Sequence, residues 1–396
     1  MTPASDPLAL PRVPPPAPTA NRRRDIVACV LFAGAIAAMG LGGLAHRGAA
    51  TLEAENRTIT AWPTPAFTRA FTTDFERAFA DRFGARDALL RLHNRTLVRA
   101  FGVSPAPDVL PGRDGWLYFM GEDGHAFDRY YRGTLPVYDA EIRRVLDELT
   151  RRERFLAAHG IAYVVMIAPD KATIYPEHLP AWATQVVART PLDRLTNAIR
   201  ADGTLHYVDV REALRASKAR ERVYYATDSH WNYLGATVAY GELMRALAEA
   251  LSPASITPAP VARPAYVPGV DVYRGDLARM TGDMNRFTEP DYAPLGKVLA
   301  SPDSRCGKRI NAGEEPGVEW YACARPGLRR ALVYRDSMAI PLIPMLSENF
   351  SRVAYVSSHR PDPAFILRER PDVVIEEMVE RAMLSPAATP MPEPKP

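Results

Sequence analysis

Apolar residues change their spacing along this chain, and the changes divide it. Residues 1–20 are rich in Pro and Ala and show no apolar period, the composition of a disordered tail. Ile26 to Ala45 then runs without a formally charged side chain. That is about the 20 residues a helix needs to cross the hydrocarbon core of a bilayer. Over 66–101 the pattern turns helical: Phe75, Phe79 and Phe83 recur every fourth residue, Thr73 and Glu76 have capping-box spacing, and Leu89, His93 and Leu97 extend a similar stripe. His93 reads as a helix-face residue. Asp114-Gly115 supplies a turn, and Trp116 to Phe119 a strand.

From residue 139 onward, helix and strand patterns alternate. Ile142, Leu146, Leu149 and Leu156 form one helical stripe, which Gly160 is placed to stop. Ile161 to Ala168 is a continuous apolar run, the mark of a strand covered on both faces. A helix over about 191–201, a strand at 205–210 and a helix carrying Leu243, Leu247 and Leu251 follow. Strands are expected at 331–334, 353–356 and 373–375, with a helix from the first of these to about Phe350. Such alternation predicts an α/β fold with a doubly wound parallel sheet. Residues 257–330, rich in Pro, read as a long irregular excursion, and 384–396 as a disordered Pro-rich tail.

Charge and cysteines add the compartment. Net charge is +3 from 49 basic and 46 acidic residues, with no basic stripe, so nucleic acid is not an expected partner. Arg22, Arg23 and Arg24 precede the apolar run, whereas only His46 and Arg47 follow closely. The positive-inside rule then places residues 1–25 in the cytoplasm, a transmembrane anchor at 26–45 in the bacterial inner membrane, and residues 48–396 in the periplasm. A signal peptide cleaved near 45–50 is the competing reading, with an unusually long apolar region. Cys306 and Cys323 both fall in the exported part, where a disulfide persists and closes a loop worth ~3 kcal/mol; two free thiols are the alternative. Cys29 has no obvious mate. No C-x-x-C or His/Cys cluster points to zinc, and no metal or cofactor is expected.

Two loops carry residue types suited to acyl transfer. One is Thr227-Asp228-Ser229-His230-Trp231-Asn232, just before a helix; the other is Arg335-Asp336-Ser337-Met338, a strand-to-helix turn. In open α/β sheets, sites form on loops at the carboxyl ends of strands. A serine there needs a base, which His230 supplies near working pH, and Asp228 can hold the other ring nitrogen. The Ser337 N–H, at a helix N-terminus, is placed to donate to a developing oxyanion. Alone, Asp-Ser is most often a helix cap, and Asp228-x-His230 equally a capping loop or two metal ligands.

These two blocks resemble the signature blocks of the alginate O-acetyltransferase family, an SGNH-hydrolase-like group with permuted order of its catalytic blocks. So do Asp114-Gly-Trp-Leu-Tyr118, Ala168-Pro-Asp-Lys171 with Tyr175-Pro176, Gly275-Asp-Leu277 and Pro371 to Arg381. The resemblance covers about 66–383, taken as the catalytic domain, and assigns catalytic roles to Asp228, His230 and Ser337. Met338 departs from the family's usual Phe. Since no carbohydrate-binding domain follows residue 383, the chain resembles the membrane-anchored members. The resemblance implies O-acetylation of a secreted, alginate-like or cellulose-like exopolysaccharide through an acetyl-serine. A membrane O-acyltransferase would supply acetyl, alongside other polysaccharide-export proteins. It also makes Gly275 a candidate second oxyanion donor, against an ordinary turn. Lys171 and Arg335 are candidates for contacting an anionic glycan, against surface solvation. Trp231 and Tyr175 are candidates for stacking on sugar, against core packing. An acetyl esterase with the same triad, or a non-catalytic scaffold of an export complex, are the rival functions.

Overall fold

The computed structural model describes residues 22–44, 51–52, 57–65, 69–82, 92–94, 96–97, 104–121, 125–251, 272–282, 286–290, 305–310 and 317–385, with single positions elsewhere. The expected tails at 1–20 and beyond 385, Phe83, and most of the excursion over 257–330 lie outside the described residues. The chain forms two compact units, residues 1–90 and 91–396.

The first unit carries a helix at Arg22–Leu44, a strand pair β1 (Thr51–Leu52) and β2 (Arg57–Thr58), and a helix at Arg69–Asp81. The apolar run is therefore helical, with Ile26, Val30, Leu31 and Phe32 exposed. Its side chains are described only to residue 38. Among the described residues no helix is long and apolar enough to cross a membrane. The second helix begins at Arg69, so Thr73 lies inside it rather than at its cap. Phe75 and Phe79 stack at 6.3 Å, and Trp62 meets Phe75 at 5.4 Å.

The second unit opens with a hairpin of β3 (Val109–Pro111) and β4 (Leu117–Phe119). Asp114 and Gly115 both have positive φ (56° and 79°), the geometry that joins antiparallel strands tightly. Helix Asp139–Ala158 buries Ile142, Val145, Leu149 and Leu156 on one face and leads past Gly160 (φ 70°) into β5 (Ala162–Ala168). Helix Pro191–Asp202 is started by a capping box, with Asp193 N–H donating to Thr190 Oγ1 and Thr190 N–H to the Asp193 carboxylate; it feeds β6 (His206–Asp209). After helix Tyr233–Leu251 come the short pair β7 (Val272–Tyr273) and β8 (Glu289–Pro290), then β9 (Lys308–Ile310) and β10 (Val318–Ala322). Strands β11 (Arg329–Tyr334), β12 (Phe350–Val356) and β13 (Val373–Val379) complete the main sheet.

That sheet has the order β6-β5-β13-β11-β12-β10-β9. Its first five strands are parallel, as the alternation predicts, but β10 runs antiparallel to β12 and β9 antiparallel to β10. The sheet is mixed, which corrects the wholly parallel expectation. The antiparallel edge comes from 308–322, inside the stretch read as irregular. In β10 only Trp320 is fully buried, and β9 is three residues long, so neither shows a usable apolar period. Cys306 and Cys323, flanking this strand pair, are joined as a disulfide. A second correction concerns the turn after β11. The expected helix to Phe350 is a 3-10 segment, Ser337–Leu342, followed by one α turn, Ile343–Leu346; Phe350 opens β12. Pro341 and Pro344 remove the N–H groups a continuous helix needs there.

Side chains of β5 alternate between two cores. Val164 and Met166 pack with Leu243 and Leu247 on one face, and Tyr163, Val165 and Ile167 with Leu149, Leu156 and Leu195 on the other. Burying each such side chain is worth about 1.5–3 kcal/mol. This doubly covered sheet holds rigid the carboxyl-terminal edge where the chemistry-bearing loops emerge.

Candidate active site

Strand β11 is central in the sheet, paired on both sides, and delivers Ser337 at its carboxyl end. Asp336 caps the following turn: Met338 N–H donates to its Oδ1 (2.8 Å) and Val379 N–H to its Oδ2 (2.7 Å). The second loop precedes helix Tyr233–Leu251 and crosses toward it. His230 Nε2 lies 2.8 Å from Ser337 Oγ, and His230 Nδ1 lies 2.6 Å from Asp228 Oδ1. Two residues far apart in the chain thus meet in one hydrogen-bonded row. Trp231 ties the loops a second time by donating from Nε1 to the Met338 carbonyl (2.9 Å).

Asp228 is nearly sealed from solvent and fully engaged. Tyr273 Oη–H donates to its Oδ2 (2.7 Å), as does Asp276 N–H (2.9 Å), and His230 N–H donates to Oδ1 (3.0 Å). Burial pushes its carboxyl up, but the bonds from His230, Asp276 and Tyr273 outweigh that and hold it well below the usual carboxylate range. For His230, burial opposes the charged ring, and the Asp228 carboxylate overcomes it, so the imidazole sits above its ordinary value. Asp276 is pushed up by burial and by the neighbouring Asp228 charge. It accepts from Ser229 N–H (2.7 Å) and lies 3.6 Å from His230 Nδ1.

Asp228, His230 and Asp276 offer ligand atoms close enough together to hold a cation. Their atoms are committed otherwise: Nδ1 to Asp228, and Asp228 Oδ2 to two hydrogen-bond donors, which a cation would have to displace. The donor set suits a proton-transfer row better than a metal.

Most sequence candidates for substrate contact serve elsewhere. Lys171 is buried, and its Nζ donates to the carbonyls of Tyr225 (3.1 Å), Ala226 (3.0 Å) and Asp228 (2.6 Å), so it anchors the histidine loop from beneath rather than meeting a glycan. Burial pulls its ammonium down to about 8. Tyr175 is core: its carbonyl accepts from Tyr118 Oη–H (2.6 Å) and its Oη from Val223 N–H (2.9 Å). Trp231 is fully buried. Arg335 is buried as well, with Nη2 4.0 Å from Glu319. Gly275 N–H donates to Thr227 Oγ1 (3.1 Å), so it is occupied; a Cβ there would strike the Thr227 carbonyl, and close approach is what requires the glycine. Among the described residues, the Ser337 N–H meets no acceptor. His93 is exposed.

Sequence reasoning missed the supports. Asp276 stands beside Gly275 in the quoted Gly-Asp-Leu block, and Asp336 beside Ser337, so adjacency could have flagged both. Tyr273 and Glu289 had no such signal. Glu289 accepts from the N–H groups of Ala226 (2.9 Å) and Thr227 (2.7 Å) and pairs with Arg222 (2.9 Å).

Comparison with known proteins follows the same lines. Residues 109–305 match the family model described as SGNH hydrolase-like domain, acetyltransferase AlgX, a span that includes Asp228, His230 and Gly275 and ends before Ser337. The chain is similar to a probable alginate O-acetylase AlgJ of Pseudomonas putida, 31% identical over 229 residues, which cover 54% of this chain and 51% of that protein. It is also similar to the probable alginate O-acetylase AlgJ of Azotobacter vinelandii, 26% identical over 297 residues, covering 74% and 68%. The match thus spans about half the length of the Pseudomonas relative. Among solved structures, it is similar to the O-acetyltransferase domain of Pseudomonas putida AlgJ: 23% identity, 71% of this chain and 94% of that one, TM-score 0.45. The α/β fold with its mixed sheet is SGNH hydrolase-like, and residues 109–305, about half of the chain, match the SGNH hydrolase-like, AlgX-type acetyltransferase domain.

Proposed function

We propose that the chain is an O-acetyltransferase that moves an acetyl group onto hydroxyls of a secreted exopolysaccharide through Ser337, His230 and Asp228. The observation that carries this is the unbroken row from Ser337 Oγ through both nitrogens of His230 to a buried, ionised Asp228. Ser337 Oγ attacks the carbonyl carbon of an acetyl ester while its proton passes to His230 Nε2. The oxyanion of the tetrahedral intermediate accepts from the Ser337 N–H. As the carbonyl re-forms, the donor alkoxide leaves and takes the proton from His230, and acetyl-Ser337 remains. A sugar hydroxyl then repeats the sequence in reverse, losing its proton to His230 and releasing Ser337.

The probable alginate O-acetylase relatives support a polysaccharide acceptor. We assign residues 66–383 to the catalytic domain. We assign the apolar segment at 26–45 to a single-pass inner-membrane anchor with its N-terminus in the cytoplasm and the catalytic domain in the periplasm, reached by a membrane O-acyltransferase that brings acetyl. The Arg cluster before the run supports that orientation. Full chain incubated with an acetyl ester should form acetyl-Ser337, detectable as an acetylated peptide. Adding oligosaccharide should shift product from free acetate to acetylated sugar. Acetate release unaffected by any glycan would make it an esterase, and no acylation of Ser337 would end the reading. Membranes extracted with alkali should retain the chain; release of a soluble form would sink the anchor.

A further inference from the structure

Two carboxylates, not one, stand on the Nδ1 side of His230. Asp228 Oδ1 lies 2.6 Å from that nitrogen and Asp276 Oδ2 3.6 Å from it, and the two acids approach each other within 4.8 Å. Asp276 is placed as firmly as Asp228. Its Oδ1 accepts from the N–H groups of Ser229 (2.7 Å) and Leu277 (2.6 Å), and its Oδ2 from Ser229 Oγ–H. In return, Asp276 N–H donates to Asp228 Oδ2 (2.9 Å), Gly275 N–H to Thr227 Oγ1 (3.1 Å) and Ala278 N–H to the Thr227 carbonyl (3.1 Å). Segments 275–278 and 227–229 thus clasp each other with bonds in both directions. Neutral groups could clasp a loop equally well. What Asp276 adds is a second negative charge beside the ring, and unlike the sealed Asp228 its side chain is partly exposed. The other groups near this cluster leave that charge in place. Tyr273 donates to Asp228, Lys171 is turned to three carbonyls, and Arg381 is paired with Asp170.

We propose that Asp276 is a positioning residue of the proton-transfer row, a second carboxylate that stabilises the His230 imidazolium while Ser337 is acylated and deacylated, a role that rests on the acetyltransferase reading. Two carboxylates this close repel each other, and the repulsion is unrelieved while the imidazole is neutral. It is relieved when Ser337 gives up its proton, because the imidazolium then faces both. An interaction that strengthens only as charge develops lowers the barrier and not the ground state. Burial and the Asp228 charge push the Asp276 carboxyl up, whereas a cationic His230 draws it back toward the ionised form. Proton uptake by the ring and charge on Asp276 therefore favour each other, while Arg381 works against a second cation at His230. No proton reaches Asp276: the Ser337 proton stops on Nε2, and Nδ1 keeps its own. The two acids divide the work. Asp228, fully bonded, fixes the tautomer, and Asp276 supplies further counter-charge.

The experiment compares the full chain with its Asp276→Asn and Asp276→Ala variants. One readout is the titration of His230, followed by NMR with labelled histidine and assigned by the resonance lost in His230→Gln. The other is the rate of Ser337 acylation by an activated acetyl ester as a function of pH. The Asn variant keeps an oxygen for the Ser229 and Leu277 N–H groups and loses the charge; the Ala variant loses both. Both should lower the His230 titration midpoint alike. Both should slow acylation roughly three- to tenfold above that midpoint, with the loss shrinking toward acid pH, where the weaker base is less often protonated. The Ala variant alone should also unfold at lower denaturant. A His230 midpoint that is unchanged in both variants, or lowered in Ala alone, overturns the inference, since hydrogen bonding without charge is then all that Asp276 supplies. A loss of rate equal at every pH overturns it too. A lowered midpoint with no acylation of Ser337 in the parent chain keeps the hold of Asp276 on His230 and ends the acetyltransferase reading. Acylation with an unchanged midpoint does the reverse.

Discussion

The two loops that meet at the His230–Ser337 hydrogen bond are held in opposite ways. The serine turn is placed by the sheet itself: β11 is bonded on both sides, and Asp336, next to Ser337, caps the turn and reaches one strand over to Val379. The histidine loop is not the end of a strand, and groups from separate parts of the chain hold it. Lys171 takes three of its carbonyls, Glu289 two of its N–H groups and the Thr227 hydroxyl, and Asp276 the Ser229 N–H. Where the sheet supplies position, one local cap is enough. Where it does not, buried charges must, and each is costly to leave unpaired.

The comparison can be broken at three points, beginning where the loops touch. On the proposed reading Ser337→Ala or His230→Ala should lower turnover by ~10^4–10^6-fold, and the double change should cost little more, because the pair acts as a unit. Turnover by each single and the double variant tests this; additive losses would separate the two loops. The pH profile belongs to the same point. The base must be neutral, and burial of His230 is outweighed by Asp228, so its value is raised. The acid limb of kcat/KM should therefore lie above the ordinary imidazole value of about 6.5 and drop toward it in Asp228→Asn. Stability runs the other way. The gain from a charged His230 is full below that ordinary value and is lost as pH rises through the raised one. The gain from Asp228 is present above the ordinary carboxylate range and is lost as pH falls through its depressed value.

The next largest effect is expected from an anchor of the histidine loop. Lys171→Met keeps the volume beneath the loop but leaves three buried carbonyls without their shared donor. The loss should be about 2–3 kcal/mol in denaturant unfolding, with turnover falling in the protein that remains folded. An unchanged midpoint would show that the loop does not depend on this anchor. The smallest effect belongs to the serine turn. Asp336→Ala removes a cap and should cost about 1 kcal/mol by the same measurement, since the strand still carries Ser337 to its place. A loss larger than that of Lys171→Met would invert the comparison.

How much of this was legible in the residues depends on the range over which each interaction acts. Continuous apolar runs at 161–168 and 373–375, the helical stripe from Ile142 to Leu156, and the stop at Gly160 are local patterns, and helices and strands formed there. The Thr227–Asn232 and Arg335–Met338 blocks were legible through their resemblance to the family's signature blocks, since by residue type alone each reads equally as a cap. The antiparallel edge at 308–322 was not, because β9 and β10 are short and owe their pairing to β12 and to the disulfide. The roles of Lys171, Tyr175 and Trp231 were not either, for a side chain of mixed character reads alike whether it faces solvent or a loop packed over it. By itself the sequence determined the parallel core of the sheet and the three residues whose chemistry makes a proton-transfer row possible. Only the tertiary structure decided which charged groups hold that row, because Lys171, Glu289 and Asp276 reach the loop across 47 to 62 residues of chain, where no local pattern connects a donor to its acceptor.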